Sequence, residues 1–562
     1  MKNSLIYQKT KRVKDLLLFF LIIISTDFVQ AQLEPNVLWA KRFGGTSAFG
    51  IATDDAQNIY FTGIFGGTAD FGDITLTATG NTPGLYVAKT DSSGEILWAK
   101  QFDMQTNVNR VGGIAVDPFG NVYTTGFFAG TVYFDNTISL TTSTSIQATF
   151  VVKQNNSGEV LWATKFEDIN QTGVYGSSIA TDTQGNIYTV GHFTGQTAVF
   201  GDITLTGSSE GRDTGYVVKQ DPDGNVLWAK NLVGTDDVDI IKIILDTSGN
   251  IYITGNIWGT ASFGDTTLVC SNLYNMFVAK MDAFGEVVWA KNFGEGSPEP
   301  YDHSSGTSLA LDLENNIYVT GSFKGVLTAN INPISSYEDS SEPFVLKTNN
   351  SGDLLLVKSF KATGSPSTGS DITIDNFNNI YIVGDFRGTI YPTDDLPLTH
   401  SGAYDGFVFK MNNLGNVEWA GRFGGWGNTW VSRITVNTEG NLYAVGHFTS
   451  ATQFGSYFFA PQNGNSNVFL LKLSSEGLSI NEIDSKEYKV YPNPIRDFIN
   501  IELTDNYAEV SIDVFNILGQ KIKAFKNLYN TENINLSDLK TGIYLLRIST
   551  NKTSKTIKIK KQ

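Results

Sequence analysis

The tripeptide Asn-[Ile/Val/Leu]-Tyr occurs seven times in this 562-residue chain, with its tyrosine at Tyr60, Tyr123, Tyr188, Tyr252, Tyr318, Tyr381 and Tyr443. The intervals are 63, 65, 64, 66, 63 and 62 residues. So regular a period restricts the chain to an array of equivalent units, because a single unit of this size buries its apolar faces only against its neighbours. Each tyrosine is followed three residues later by a glycine, from Gly63 to Gly446. Ahead of it stands Asp-x-x-Gly-Asn, as in Asp117–Asn121, Asp182–Asn186 and Asp246–Asn250. Asn315 and Asn378 replace the glycine twice, and asparagine is the next most tolerant residue of the left-handed backbone. Gln57 departs from the pattern.

Two more elements share the period. One is an aromatic-led run ending in lysine, such as Tyr86-Val-Ala-Lys89, Phe150-Val-Val-Lys153 and Phe407-Val-Phe-Lys410, followed by an [Asp/Asn]-x-x-Gly turn. The other is Leu-Trp-Ala-Lys or a close variant around Trp98, Trp162, Trp228, Trp289 and Trp419, with Leu356 in one copy. Short β-branched and aromatic runs bounded by Gly, Asn and Asp read as strands in hairpins. Four strands per repeat, seven times over, predict an all-β fold, a seven-bladed β-propeller of four-stranded blades. Radial closure limits the exposed edges that a flat sheet of this size would leave. A Trp-type strand, Asn36–Lys41, precedes the first repeat, and the last repeat has no tryptophan strand. The orphan strand is therefore expected to complete the last blade and join the two ends of the ring.

Composition bears on what the chain is for. Cys270 is the only cysteine, which leaves no intramolecular disulfide and no Cys-cluster zinc site. A net charge of −16 argues against a nucleic-acid partner. Lys2, Lys9, Lys11, Arg12 and Lys14 precede the apolar run Leu16–Ile24, and Val29 and Ala31 are small residues before Gln32. This reads as a secretory signal peptide cleaved after Ala31, since nine apolar residues fall short of the roughly 20 that span a bilayer. The domains expected are a signal peptide at 1–31, a propeller at 32–477, a linker at 478–487 and a C-terminal domain at 488–562. That last segment alternates polar and apolar residues over short strands, predicting a small β-sandwich.

Residues 36–480 resemble the secreted bacterial β-propeller repeat family called SBBP, through Asp-x-x-Gly-Asn-Ile-Tyr-x-x-Gly and Phe-Val-x-Lys. Residues 488–562 resemble the type A sorting domain of the type IX secretion system. Tyr491-Pro492-Asn493-Pro494, the turn at Phe515–Gln520 with Gly519, Gly542-Ile-Tyr544 and the Lys-rich terminal strand carry that likeness. It implies the type IX machinery as partner, passage through both membranes of a Gram-negative cell, and a location that is secreted or on the cell surface. In that family the domain is usually removed on arrival, often with attachment of the cargo to surface polysaccharide.

The tight Asp-x-x-Gly turns fall on one face of such a ring, and the longer connections fall on the other. Function concentrates on loops of the second kind. Two connections there hold candidate ligand-binding residues. Phe293–Gly306 carries Tyr301, Asp302 and His303, and Phe423–Trp430 carries Trp426 and Trp430. Each has a plain alternative, a solvated insertion for the first and a plug near the ring closure for the second. The repeated aspartates lack convergent oxygen ligands for calcium and read as caps of their own turns. His192 and His447 hold one repeat position in distant blades, and Asp236, Asp237 and Asp239 read as a solvated acidic loop. Neither a metal site nor a cofactor is expected, and no nucleophile elbow, phosphate loop or His-Glu-x-x-His occurs. The leading expectation is a binding or adhesion module for an extracellular glycan or protein. The alternatives are a polysaccharide hydrolase or lyase using the variable face, or a structural surface component.

Overall fold

The computed structural model describes residues 35–561 apart from 80–81, 107–108, 169–171, 271–272, 295–301, 328–332, 338–339, 365, 463–465, 478–487, 492–494, 504–509, 517–520, 527–530, 541 and 551–553. Ala31, Tyr301, Pro492, Asn493, Pro494 and Gly519 thus lie outside the described residues. The chain divides into two compact units, Met1–Ser475 and Glu476–Gln562.

The first unit is a β-propeller built entirely of antiparallel sheets. Among the described residues, seven sheets each contain a run of four strands, joined in chain order in six of them, beginning with Ser47–Thr53, Ile59–Phe65, Gly84–Thr90 and Ile96–Met104. They are numbered here by repeat. The first strands of successive sheets are neighbours, and Thr429–Val436 of the seventh lies beside Ser47–Thr53 of the first. Second and third strands are buried almost throughout, as in Ile59–Phe65 and Gly84–Thr90, because other sheets cover both faces. Strand Pro35–Phe43 stands at the outer edge of the seventh sheet, in the order Pro35–Phe43, Asn467–Gly477, Leu442–Phe448, Thr429–Val436.

The repeated residues form one structural cluster per sheet. Asp117 Oδ1 accepts from the backbone N–H groups of Phe119 and Asn121, and its Oδ2 accepts from Asn121 Nδ2 and the Tyr123 hydroxyl at 2.8 and 3.0 Å. Asp54, Asp182, Asp246, Asp312 and Asp375 hold their own tyrosine hydroxyls at 2.8 to 3.3 Å. The lysine of the third strand lies over the same ring, as Lys89 does over Tyr60 at 4.9 Å and Lys347 over Tyr318 at 4.7 Å. The tryptophan of the fourth strand hooks onto the next sheet. Trp98 Nε1 donates to Asn156 O at 3.0 Å, and Trp289 Nε1 donates to Asn350 O at 3.0 Å. Gln57 keeps the left-handed turn with φ 66°, beside 80° for Gly120, so the turn tolerates a side chain there at a cost of about 1 kcal/mol.

The seventh repeat breaks the pattern in an instructive way. Asn437 stands where the other six have aspartate, and its Nδ2 and the Tyr443 hydroxyl are both buried without a hydrogen-bond partner. Asn437→Asp restores the acceptor, and Lys472, 5.5 Å from the Tyr443 ring centroid, offsets the new charge. We expect it to raise stability by about 1–3 kcal/mol, read as a higher denaturant midpoint. A lower midpoint would contradict this account of the cluster.

Four strands are not the whole repeat. A short hairpin, such as Thr68–Phe71 with Ile74–Thr77, occupies each connection between second and third strands. It reaches the fourth strand of the preceding sheet. Val132 pairs with Met104, Ser262 with Val233 and Gln453 with Gly424. The connections read as variable loops are therefore partly structural, and buried Phe71, Phe200, Phe263 and Phe454 anchor them.

The second unit is a sandwich of two sheets. Tyr488–Tyr491, Phe498–Leu503 and Thr531–Asn535 form one, and Lys521–Phe525, Val510–Asn516, Gly542–Thr550 and Ser554–Lys561 form the other. Ile499, Ile501 and Ile534 from the first sheet pack with Ile512, Val514, Leu546, Ile548 and Ile559 from the second. Tyr491 ends its strand, Gly542 opens one, and the Tyr544 hydroxyl donates to Lys540 O at 2.9 Å.

Candidate ligand-binding face

Register determines which residues reach the channel mouth. The Asp-x-x-Gly turn joins first and second strands at one end, so residues paired near the far end lie on the opposite face. Those pairs include Arg110 with Phe127, Tyr175 with His192, Asp239 with Asn256, Thr368 with Asp385 and Trp430 with His447. Each first strand also carries a bulge after this position, as at Gly176/Ser178, Ile240/Lys242, Gly369/Asp371 and Val431/Arg433. A bulge re-aims the side chains that follow it. Lys242, Asp371 and Arg433 accordingly line a central cavity of about 370 Å³ bounded by the first strands of all seven sheets.

The cavity is cationic inside an acidic protein. Lys242 Nζ lies 3.7 Å from Asp371 Oδ1, and Asp371 Oδ2 accepts from the Ile434 N–H at 2.9 Å. Arg433 donates to Ser432 O at 2.8 Å, and the Arg110 guanidinium lies 5.4 Å from the Phe49 ring centroid. Burial lowers the pKa of Lys242, with Asp371 opposing that and Arg433 adding to it. Burial and then repulsion from Arg433 lower that of Arg110. Lys242 and Arg433 line the cavity beside one carboxylate, Asp371, and Arg110 lies near enough to Arg433 to be repelled by it, so the lining carries a positive surplus that an anion would relieve.

Aromatic rings surround the mouth. Tyr175 stacks on His192 at 4.8 Å and Trp430 on His447 at 4.7 Å, both with planes 27° apart. Tyr404 faces Trp430 at 6.2 Å. In the fifth repeat His303 lies over Tyr274 at 4.9 Å, and Tyr274 in turn meets Trp258 at 5.1 Å. Trp426 is 92% exposed.

The residues singled out from sequence fare differently. Trp430 is not in a loop; it lies in strand Thr429–Val436 at the position Tyr175 holds in the third sheet, because that strand starts earlier than its motif suggests. Trp426 remains in the connection, as expected. Asp302 is buried with its carboxylate packed where a side chain on Gly325 would stand, so it supports the fold rather than facing a ligand. His303 belongs to the fifth sheet and Trp430 to the seventh. The acidic run is not all solvated loop, since Asp239 lies in strand Val238–Leu245 with its Oδ1 3.3 Å from His192 Nδ1. The expectation of no metal-ligating group overlooked that juxtaposition.

Sequence reasoning also missed Arg110, Tyr175, Lys242, Asp371, Asp385 and Arg433. A usable signal existed. Counting back 13 residues from the repeat tyrosines reaches Arg110, Tyr175, Asp239, Thr368 and Trp430, and counting back 10 reaches Lys242, Asp371 and Arg433.

Two mouth residues have shifted pKa values. Burial takes His447 down to about 4. Burial takes Asp385 up to about 6 against a hydrogen bond from Ser370 that lowers it. A carboxyl whose folded pKa is raised destabilises the fold when ionised, fully above pH 6 and not at all well below 3.8. Asp385→Asn should therefore add about 3 kcal/mol at pH 8 and little at pH 3.5. Equal gains at both pH values in denaturant titrations would show that the fold does not raise the pKa of this carboxyl.

Family-model comparison matches residues 489–562 to the secretion system C-terminal sorting domain and residues 161–192 to a β-propeller repeat. An uncharacterized WD repeat-containing protein of Acanthamoeba polyphaga mimivirus is 24% identical over 533 aligned residues, covering 78% of this chain and 37% of that protein. The chain thus spans little more than a third of that relative's length. Among solved structures, PorZ, a surface component of the type IX secretion system of Porphyromonas gingivalis, is 10% identical, with 93% of this chain and 100% of that chain covered and a TM-score of 0.17. A duf4221 family member from Bacteroides vulgatus is 12% identical, with 79% and 99% covered and a TM-score of 0.33. The strand architecture and the sorting-domain match together make this a secreted, cell-surface protein, exported through the outer membrane by the type IX system, with a β-propeller repeat region ahead of its sorting domain.

Proposed function

We propose that the seven sheets are the blades of one closed ring, displayed at the cell surface after signal cleavage at Ala31, and that its variable face binds an acidic extracellular glycan. The observation that carries this reading is the pairing of a cationic throat with an aromatic mouth. Lys242 and Arg433 line the cavity beside Asp371, with Arg110 close enough to Arg433 to be repelled by it. Above them Tyr175, Trp430 and their histidines present stacked rings, and Trp426 stands almost fully exposed. Aromatic faces take the apolar faces of sugar rings, while a carboxylate or sulfate on the polymer would satisfy the cations. In this reading Trp426 and Trp430 are contact residues, His303 with Tyr274 forms a second platform, and the cations select acidic over neutral chains.

The test is binding of the secreted protein to immobilised acidic and neutral glycans. Trp430→Ala is expected to weaken retention of the acidic glycan about tenfold or more, and Trp426→Ala somewhat less. Unchanged binding in both would remove the platform from the account.

Asp385 favours a second reading, hydrolysis of the bound polymer, since a carboxyl at a mouth with pKa about 6 is suited to general acid work. Product release that Asp385→Asn abolishes, with binding retained, would establish it.

A further inference from the structure

We propose that His192, Asp213 and Asp239 form a site for a divalent transition-metal cation, Zn²⁺ foremost, on the channel mouth between the third and fourth sheets. The three side chains come from three strands. His192 is in Ile187–Thr194, Asp213 opens Asp213–Gln220, and Asp239 is in Val238–Leu245. One ligand atom from each can be chosen so that all lie within 4.8 Å of one another, a span that a cation at 2.0–2.2 Å from nitrogen and oxygen ligands closes with small side-chain adjustments.

Two orphaned atoms point to that cation. His192 Nδ1 and Asp239 Oδ1 are both buried without a hydrogen-bond partner, yet they face each other at 3.3 Å. Buried polar atoms are rarely left so, and an imidazole nitrogen and a carboxylate oxygen aimed at one point are what a cation takes. The other atoms around the group are already committed to holding it. The Tyr175 ring stacks on the imidazole, fixing its plane. Thr194 Oγ1 donates to Asp213 Oδ1, and the Asp213 N–H donates to Asp237 Oδ1 at 2.9 Å. Asp213 Oδ2 lies 3.8 Å from His192 Nε2, the other ring nitrogen, so a side-chain rotation must bring both carboxylates to one nitrogen, within the 4.8 Å span of one atom from each.

Charge argues the same way. Asp213, Asp237 and Asp239 act on one another beside a single imidazole, so the cluster is negative whether or not His192 is protonated. One nitrogen and two carboxylates suit zinc or manganese, with zinc bound more tightly, and suit calcium poorly because calcium prefers an all-oxygen shell. Three protein ligands leave at least one coordination position, which the half-buried setting opens to water or to a ligand oxygen at the mouth.

The experiment strips the purified secreted protein with a chelator and titrates Zn²⁺, Mn²⁺ and Ca²⁺ by calorimetry, with thermal unfolding in parallel. The expected result is one equivalent of Zn²⁺ at micromolar or tighter affinity, a metal-dependent rise in melting temperature, and weaker Mn²⁺ and Ca²⁺ binding. His192→Ala and Asp239→Asn should each reduce Zn²⁺ affinity about tenfold or more. If His192→Ala fails to fold, Asp213→Asn and Asp239→Asn carry the test, and Co²⁺ substituted into the wild-type protein should give a visible spectrum that both variants lose. No Zn²⁺ binding below millimolar concentration, or binding unchanged in the carboxylate variants, would overturn the assignment.

Discussion

A chain that begins at Gly44 is expected to lose the stable propeller. Strand Pro35–Phe43 is the fourth strand of the seventh sheet, and it belongs to two cores at once. Val37 and Ala40 pack with Trp419, Phe454 and Phe469 of the last repeats. Phe43 packs with Phe61 and Phe71 of the first, at ring distances of 5.3 and 5.9 Å. The Gly44 N–H donates to Asp70 O at 2.7 Å, tying the first repeat's hairpin to this strand as other hairpins are tied to preceding sheets. Trp39 packs on the Gly94 turn, and the Tyr457 hydroxyl donates to Leu38 O at 3.0 Å. Burial of Val37 and Phe43 alone is worth about 1.5–3 kcal/mol each, and the truncation also leaves Asn467–Gly477 as a bare edge. Domains of ordinary stability have only about 5–15 kcal/mol to lose. The truncated protein should aggregate or be cut rapidly by trypsin, and Trp39→Ala should show a partial loss of about 2 kcal/mol. A truncated chain with the full-length denaturant midpoint would show that the ring closes without this strand.

Deleting residues 488–562 is expected to abolish surface display while leaving the propeller folded. The deleted segment is the sorting-domain match, and it has its own core of isoleucine, valine and leucine. It falls within a compact unit distinct from that of the propeller. Cell fractionation should find the truncated protein in the periplasm, with surface protein reduced at least about tenfold. Circular dichroism of the retained protein should keep its β signal. Surface display at the full-length level would mean that export is directed by something else in the chain.

The contrast between what the sequence revealed and what it hid has a physical basis. The Asp, Tyr and Lys of each repeat are close in sequence and meet in one cluster, so their spacing exposes both the period and the turns. The hairpins between second and third strands were harder to see. Phe71-Gly-Asp, Phe200-Gly-Asp and Phe263-Gly-Asp mark three of them, but the fifth shrinks to Val326–Leu327 with Ile334–Ser335. The candidate binding face was nearly invisible for another reason. It takes residues at equal register from different repeats, so Asp239 lies 64 residues after Tyr175 and Trp430 a further 191 on, and they form no linear motif. The bulge hides the throat as well, because it breaks the period-2 alternation just before Lys242, Asp371 and Arg433. Asp239 looked like loop for a related reason, as its strand opens inside an acidic run.

The most direct test of the account is retention of the secreted protein on acidic polysaccharide at rising salt, with the polymer's length followed in the same samples. The account predicts retention that neutral glycans do not match, that falls as salt screens Arg110, Lys242 and Arg433, and that leaves the polymer intact. Equal retention on neutral glycans, or none on either, would contradict it.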